Sequence, residues 1–162
     1  MRLSTRGRFA INALIDLALR EPAHPVPLAD LALRHHISLS YLEQVFAKLR
    51  QQGLVESTRG PGGGYTLARK ASDITVAEII TSVDEPIDAT QCGGKENCHD
   101  AHVCMTHDLW TNLNRRMYEY LHSVTLASLV EQQRRKVAQH AVLHDERGTS
   151  ATRNGGKPAL IA

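Results

Sequence analysis

Aromatic residues are scarce: one Trp, two Phe and four Tyr make up 4% of 162 residues. A core built from this chain is therefore aliphatic, and 42% hydrophobic content is enough to pack one. Cysteine is scarce too. Three cysteines cannot all pair, so a disulfide framework is excluded and a reducing, cytoplasmic setting is expected. No run approaches the roughly 18 apolar residues of a membrane helix, so no membrane partner is expected. The stretch from Phe9 to Leu19 follows Arg2, Arg6 and Arg8 as a secretion signal would. Asn12 and Asp16 interrupt it, and no small-residue cleavage site follows, which predicts mature structure there. No Ser-His-Asp arrangement, carboxylate pair or nucleotide fingerprint calls for an enzyme. The glycines at 60–64 lack the Gly-Lys-Ser/Thr ending of a phosphate-binding loop.

The formal charge of +2 hides an asymmetry. Residues 1–70 carry ten Lys or Arg against five Asp or Glu, while residues 71–139 carry six against ten. A basic block joined to an acidic one suggests a polyanion-binding part and a separate sensing or pairing part.

Ser4 or Thr5 can cap a first helix, in which Phe9, Ala10, Ala13, Leu14, Leu17 and Ala18 recur at helical spacing. Two prolines make Glu21 to Val26 a loop, and Pro27 suits the first position of a second helix through Leu28, Leu31 and Ala32. After a break at His35-His36-Ile37, Ser38 or Ser40 caps a third helix. Leu39, Leu42, Val45, Phe46 and Leu49 lie on its core side, and Gly53 ends it. Extended runs Leu54 to Arg59 and Tyr65 to Ala68 flank Gly60-Pro61-Gly62-Gly63-Gly64, which predicts a hairpin with a flexible tip. Thr75 and Glu78 form a capping box for a short helix.

Residues 84–103 read as a long loop, which usually has a functional reason. Thr106 can cap a long helix to about His122. Along it Trp110, Leu113, Met117, Tyr120 and Val124 repeat at spacings of three and four, the pattern of a helix–helix seam. Thr125 caps a last helix through Leu126, Leu129 and Val130. The composition after about His140 predicts a disordered tail.

The fold class that follows is mainly α with a small β-hairpin wing: a winged helix-turn-helix plus a long dimerisation helix. Three segments result: 1–70 as a DNA-binding domain, 71–138 as a loop with dimerisation helices, and 139–162 as the tail. In such a fold the second helix of the motif enters the major groove of double-stranded DNA. Its outward side offers Ser38, Ser40, Tyr41, Glu43, Gln44 and Lys48. Gln44 suits adenine, and the serines suit base edges or phosphates. Glu43 is repelled by phosphates unless it accepts from a cytosine amino group, so it rejects sequences as much as it selects them. In the wing, Arg59 suits a narrow minor groove, while Gly60 and Gly62 with their glycine neighbours let the backbone approach closely. Three consecutive glycines exceed what a tight turn needs, which favours a binding role. Arg2, Arg6, Arg8, Arg50 and Arg69 are candidates for neutralising phosphates.

All three cysteines fall in Cys92-x5-Cys98-x5-Cys104, with His107 three residues on at a helix start. Cys104 and His107 can point the same way, and three thiolates with an imidazole complete a four-coordinate site. Structural zinc usually sits on closer Cys-x2–4-Cys knuckles, so the wider spacing favours an iron–sulfur cluster, with zinc and free or redox-active thiols as alternatives. His99 and His102 are alternative fourth ligands, and His107 is the cleaner choice. In a [2Fe–2S] cluster, one imidazole in place of a thiolate leaves less negative charge, and it can protonate and leave. Both effects suit a sensor more than an electron carrier.

These residues together resemble the IscR-type iron–sulfur cluster regulators of bacteria over about residues 1–137. The marks are the opening Met-Arg-Leu, the stretch from Ile37 to Gln44, the wing from Arg59 to Tyr65, the Cys92, Cys98, Cys104 and His107 set, and Thr125-Leu126. The resemblance implies a homodimer paired through the long helix. It implies one [2Fe–2S] cluster per chain on those four residues, supplied by the cluster assembly machinery. It also implies a pseudo-palindromic operator. The clustered form would repress the cluster-assembly operon, and the cluster-free form would bind a second class of sites, with Glu43 as the discriminator. Two departures stand out: His36 where such proteins commonly have Gly in the turn, and Phe9 where Tyr is common.

Overall fold

The computed structural model describes residues 5–20, 24–83 and 105–150, with side chains through residue 139. Helix α1, Thr5–Arg20, buries Gly7, Ala10, Ala13, Leu14 and Leu17, one stripe at three- and four-residue spacing. Pro27 precedes α2, Leu28–His35, as its extended N-cap rather than as its first residue. The helix stops at His36, whose φ of 52° and ψ of 43° are left-handed. Ile37 N–H then closes back on Ala32 O at 3.1 Å, which satisfies an end carbonyl. His36 thus takes the conformation for which glycine is the usual choice.

Helix α3, Leu39–Gln51, starts at Ser38, whose hydroxyl accepts from Tyr41 N–H at 3.3 Å. Leu42, Val45, Phe46 and Leu49 are buried, as the spacing predicts. Leu39 is not: it stands in the first turn and is 42% exposed. Side chains in a helix lean toward its N-terminus, so the first residue projects past the end of the core. Tyr41 departs the other way. It is half-buried, with its ring edge-on to Phe9 at 6.1 Å.

Strands β1, Val55–Thr58, and β2, Gly64–Leu67, pair antiparallel with Val55 opposite Leu67 and Thr58 opposite Gly64. Val26 extends the sheet by one bridge, exchanging both 2.9 Å bonds with Tyr65. Phe46 packs edge-on to Tyr65 at 5.0 Å, which fastens the third helix to the wing.

The core continues past residue 70. After a 3-10 turn at Ala71–Asp73, helix α4, Val76–Ser82, begins with the predicted capping box. Ile74, Ile79 and Val83 join the same buried cluster as Leu14, Leu31 and Phe46. Helix α5, His107–Ser123, packs on α4. Helix α6, Leu126–Ser150, starts where Thr125 Oγ1 accepts from Ser128 N–H at 3.2 Å. A single bridge between Thr75 and Thr125 ties the start of α4 to the α5–α6 junction.

The first compact unit ends at Val130, and a second begins at Glu131. Within the second unit, Arg135 pairs with Glu131 at 2.9 Å, and side chains 131–139 are exposed. The helix runs to Ser150, past the boundary placed at 139. Extending a formed helix costs little compared with nucleating one, so weak periodicity does not stop it. Residues 151–162 lie outside the described residues.

Candidate nucleic-acid interface and metal-ligand segment

Four buried side chains of α3 turn the opposite side of the helix to solvent. Ser38, Ser40, Glu43 and Gln44 are all exposed there, as the sequence places them, and Leu39 is exposed at the N-terminal end of the helix, where it overhangs the core. The side presents two hydroxyls, one amide and one carboxylate, with the leucine at its N-terminal edge. Tyr41 lies at its margin against Phe9.

Arg50, near the end of α3, donates from Nη1 to Ser57 Oγ of β1 at 3.3 Å, a second link from helix to wing. Arg69, just beyond β2, pairs with Glu78 Oε1 at 3.1 Å. Burial raises the Glu78 carboxyl's pKa, but the Thr75 N–H and Arg69 together outweigh it and hold it below its usual value. Two arginines assigned to phosphates therefore already have protein partners. Arg8 and Arg59 are exposed, and Arg2 lies outside the described residues.

The wing glycines have backbone reasons. Gly60 and Gly62 have φ of 104° and 76°. A Cβ on Gly63 would sit 2.4 Å from Thr58 O, and one on Gly64 would sit 2.5 Å from the Val26 carbonyl carbon. The turn and the Val26 bridge thus account for the whole run, correcting the expectation that three consecutive glycines exceed structural need. The same geometry leaves Arg59 and Gly60 exposed at the tip.

Sequence spacing missed a charge cluster behind the turn. Asp16 of α1 accepts from Arg20 Nε and Arg34 Nε, both at 2.7 Å. His35 Nε2 lies 3.3 Å from Asp16 Oδ2, outside hydrogen-bonding geometry. Only the Asp16–Arg20 pair, four residues apart, had a local signal.

Of the four ligand candidates, Cys92, Cys98 and Cys104 lie outside the described residues. His107 is the first residue of α5, and its side chain is buried. Its neighbour Thr106 does not cap the backbone of α5 with its hydroxyl; Oγ1 accepts from Trp110 Nε1 at 3.1 Å. Among the described residues, no three of His, Cys, Asp and Glu gather to hold a metal ion.

Along α5, Trp110, Leu113 and Tyr120 are exposed, and Met117 and Val124 are half-buried. Leu109 and Tyr118 add to the exposed apolar surface, with the Tyr118 ring stacked on His122 at 5.9 Å. Among its described residues the helix buries only His107.

Residues 3–132 match the Rrf2 family, described as an iron-dependent transcriptional regulator. The chain belongs to the Rrf2 family. An Rrf2 relative in Neisseria meningitidis, named as an HTH-type transcriptional regulator, is 56% identical over 132 residues. The match covers 82% of this chain and 89% of that protein. The HTH-type transcriptional regulator IscR of Serratia proteamaculans is 50% identical over 150 residues, covering 93% of this chain and 92% of that one. The solved structure of IscR from T. potens is similar with a TM-score of 0.67 and 34% identity, covering 82% of this chain and 88% of that one. This Rrf2 chain is a DNA-binding transcriptional regulator of the IscR type, not an enzyme, and the helix-and-wing architecture is that of its relatives. Among its described residues, no helix is long and apolar enough to cross a membrane.

Proposed function

We propose that the chain is an iron–sulfur-cluster-sensing regulator that binds double-stranded DNA as a homodimer. The observation that carries this reading is the donor set: three thiol groups and three imidazoles fall between Cys92 and His107, with His107 the fourth ligand the spacing favours over His99 and His102. His107 supports it, because a buried imidazole opening α5 has a fixed place from which to meet the segment just before it. Cys92, Cys98, Cys104 and His107 would hold one [2Fe–2S] cluster per chain, taken from the cluster assembly machinery. When bound, the cluster supplies a charged, oxidisable centre that ties the segment to α5.

The apolar strip on α5 suits pairing with a second copy, and paired reading helices suit a pseudo-palindromic operator. Ser38, Ser40, Tyr41 and Gln44 would contact the major groove, and Arg59, Gly60 and Gly62 the minor groove. Glu43 would penalise one class of sites. The ligand segment follows α4, which packs on α1 and α3, so its state can bias the position of the reading helix. That bias is limited to the difference in cluster affinity between two arrangements. The clustered form would repress the cluster-assembly operon, and the cluster-free form would use the second class of sites.

Fluorescence anisotropy on both site classes tests the reading. Cys92→Ala should abolish tight binding to cluster-dependent sites and spare the other class. Equal loss on both would exclude a specificity switch.

A further inference from the structure

The exposed N-terminal turn of α3 holds one residue that helical spacing assigns to the core. Leu39 is 42% exposed, whereas Leu42 is fully buried. It follows Ser38, whose hydroxyl caps the helix through Tyr41 N–H. It stands one turn before Glu43 and next to Ser40, both exposed. The N-terminal residues of a reading helix are those that reach base edges. An aliphatic side chain there has no hydrogen bond to offer. Its one favourable partner in the major groove is the C5-methyl of thymine.

We infer that Leu39 reads a thymine, supplying an apolar contact beside the polar ones of Ser40 and Glu43. The inference rests on α3 being the reading helix. Leu39 sets a preference for thymine at one position in each half-site, and Glu43 acts on a neighbouring base. Because thymine and uracil differ only by that methyl group, the contact is separable from every hydrogen bond in the site. Losing one methyl contact weakens binding about fourfold.

The test uses the full-length protein and a duplex it enriches from a random pool, with each thymine replaced in turn by deoxyuridine. For the unmodified chain, one replacement per half-site should weaken binding about fourfold. Leu39→Ala should weaken binding to the thymine duplex and become indifferent to that replacement while keeping every other preference. Leu39→Met, which retains an apolar side chain, should keep the discrimination. The inference is overturned if Leu39→Ala distinguishes thymine from uracil as the unmodified chain does, or if no replacement weakens the unmodified chain. Failure to enrich any duplex would instead overturn α3 as a reading helix, and this inference with it.

Discussion

Arg34, in the last turn of α2, donates from Nε to Asp16 Oδ2 of α1 across 2.7 Å. Arg20 takes the other oxygen, so one carboxylate holds the first two helices together behind the helix-turn-helix. Burial raises the Asp16 pKa, but the two guanidinium hydrogen bonds outweigh it and hold the carboxyl below its usual 3.8. Asp16→Ala leaves Arg20, Arg34 and His35 facing one another. It should destabilise the fold by about 2 kcal/mol in denaturant titrations.

The sign of the pH effect follows. A carboxyl with a lowered folded pKa contributes stability above its unfolded value near 3.8, and that contribution is lost as pH falls through the lower folded value. Asp16→Asn should therefore flatten the stability curve below about pH 4, where the unmodified chain loses stability. An unchanged acid limb would remove Asp16 from that role.

Gly64 and Val26 are in backbone contact, so Gly64→Ala forces the bridge between Val26 and Tyr65 apart. A cost of about 2 kcal/mol is expected, with faster hydrogen exchange at the Tyr65 amide. Gly53 provides the contrast. Its φ is +67° with open space around it, so Gly53→Ala should cost about 1 kcal/mol and leave the wing amides protected.

His36 occupies a left-handed turn position with a side chain that disfavours it. His36→Gly should stabilise the protein by about 0.5–1 kcal/mol in thermal melts, and His36→Val should destabilise it. The reverse order would mean that the imidazole makes a contact outweighing the backbone strain.

Local signals made much of this fold legible. The α1 stripe of Ala10, Ala13, Leu14 and Leu17, and the caps at Ser38, Thr75 and Thr125, each depend on residues within a turn of one another. Periodicity failed at Leu39 and Tyr41 because it treats a helix as endless, whereas the first turn of α3 overhangs the core. The Val26 bridge was hidden because a one-residue strand between Pro25 and Pro27 has no pattern to show. The Arg34–Asp16 pair spans 18 residues and depends on how α1 and α2 cross. At the candidate site the donor types and their spacing rest on the sequence alone, whereas the exposure of Ser40, Glu43 and Gln44 was readable from helical spacing. The burial of His107 was not, since it comes from packing at the start of α5.

Glu43 is exposed on α3, and among the described residues no ion pair engages its carboxylate, as the proposed contact with DNA requires. Glu43→Ala should let the cluster-free protein bind cluster-dependent sites about 5- to 150-fold more tightly, by the roughly 1–3 kcal/mol that base discrimination carries. Anisotropy with both site classes measures it, and unchanged site choice would remove Glu43 from the mechanism.

Leu113 lies at the middle of the α5 strip and is 37% exposed. Leu113→Glu places a charge in the proposed seam and should convert a dimer to a monomer in sedimentation. DNA affinity should fall with it, because two half-sites would no longer be bound together. A variant that stays dimeric would move the seam elsewhere.

The central claim is that Cys92, Cys98, Cys104 and His107 hold a cluster. It is tested by anaerobic purification followed by a visible spectrum with iron, sulfide and zinc analysis of the same sample. Roughly two irons and two sulfides per chain are expected, with charge-transfer bands that disappear in Cys92→Ala. A colourless protein with about one zinc per chain would contradict it, leaving a DNA-binding regulator whose metal is structural.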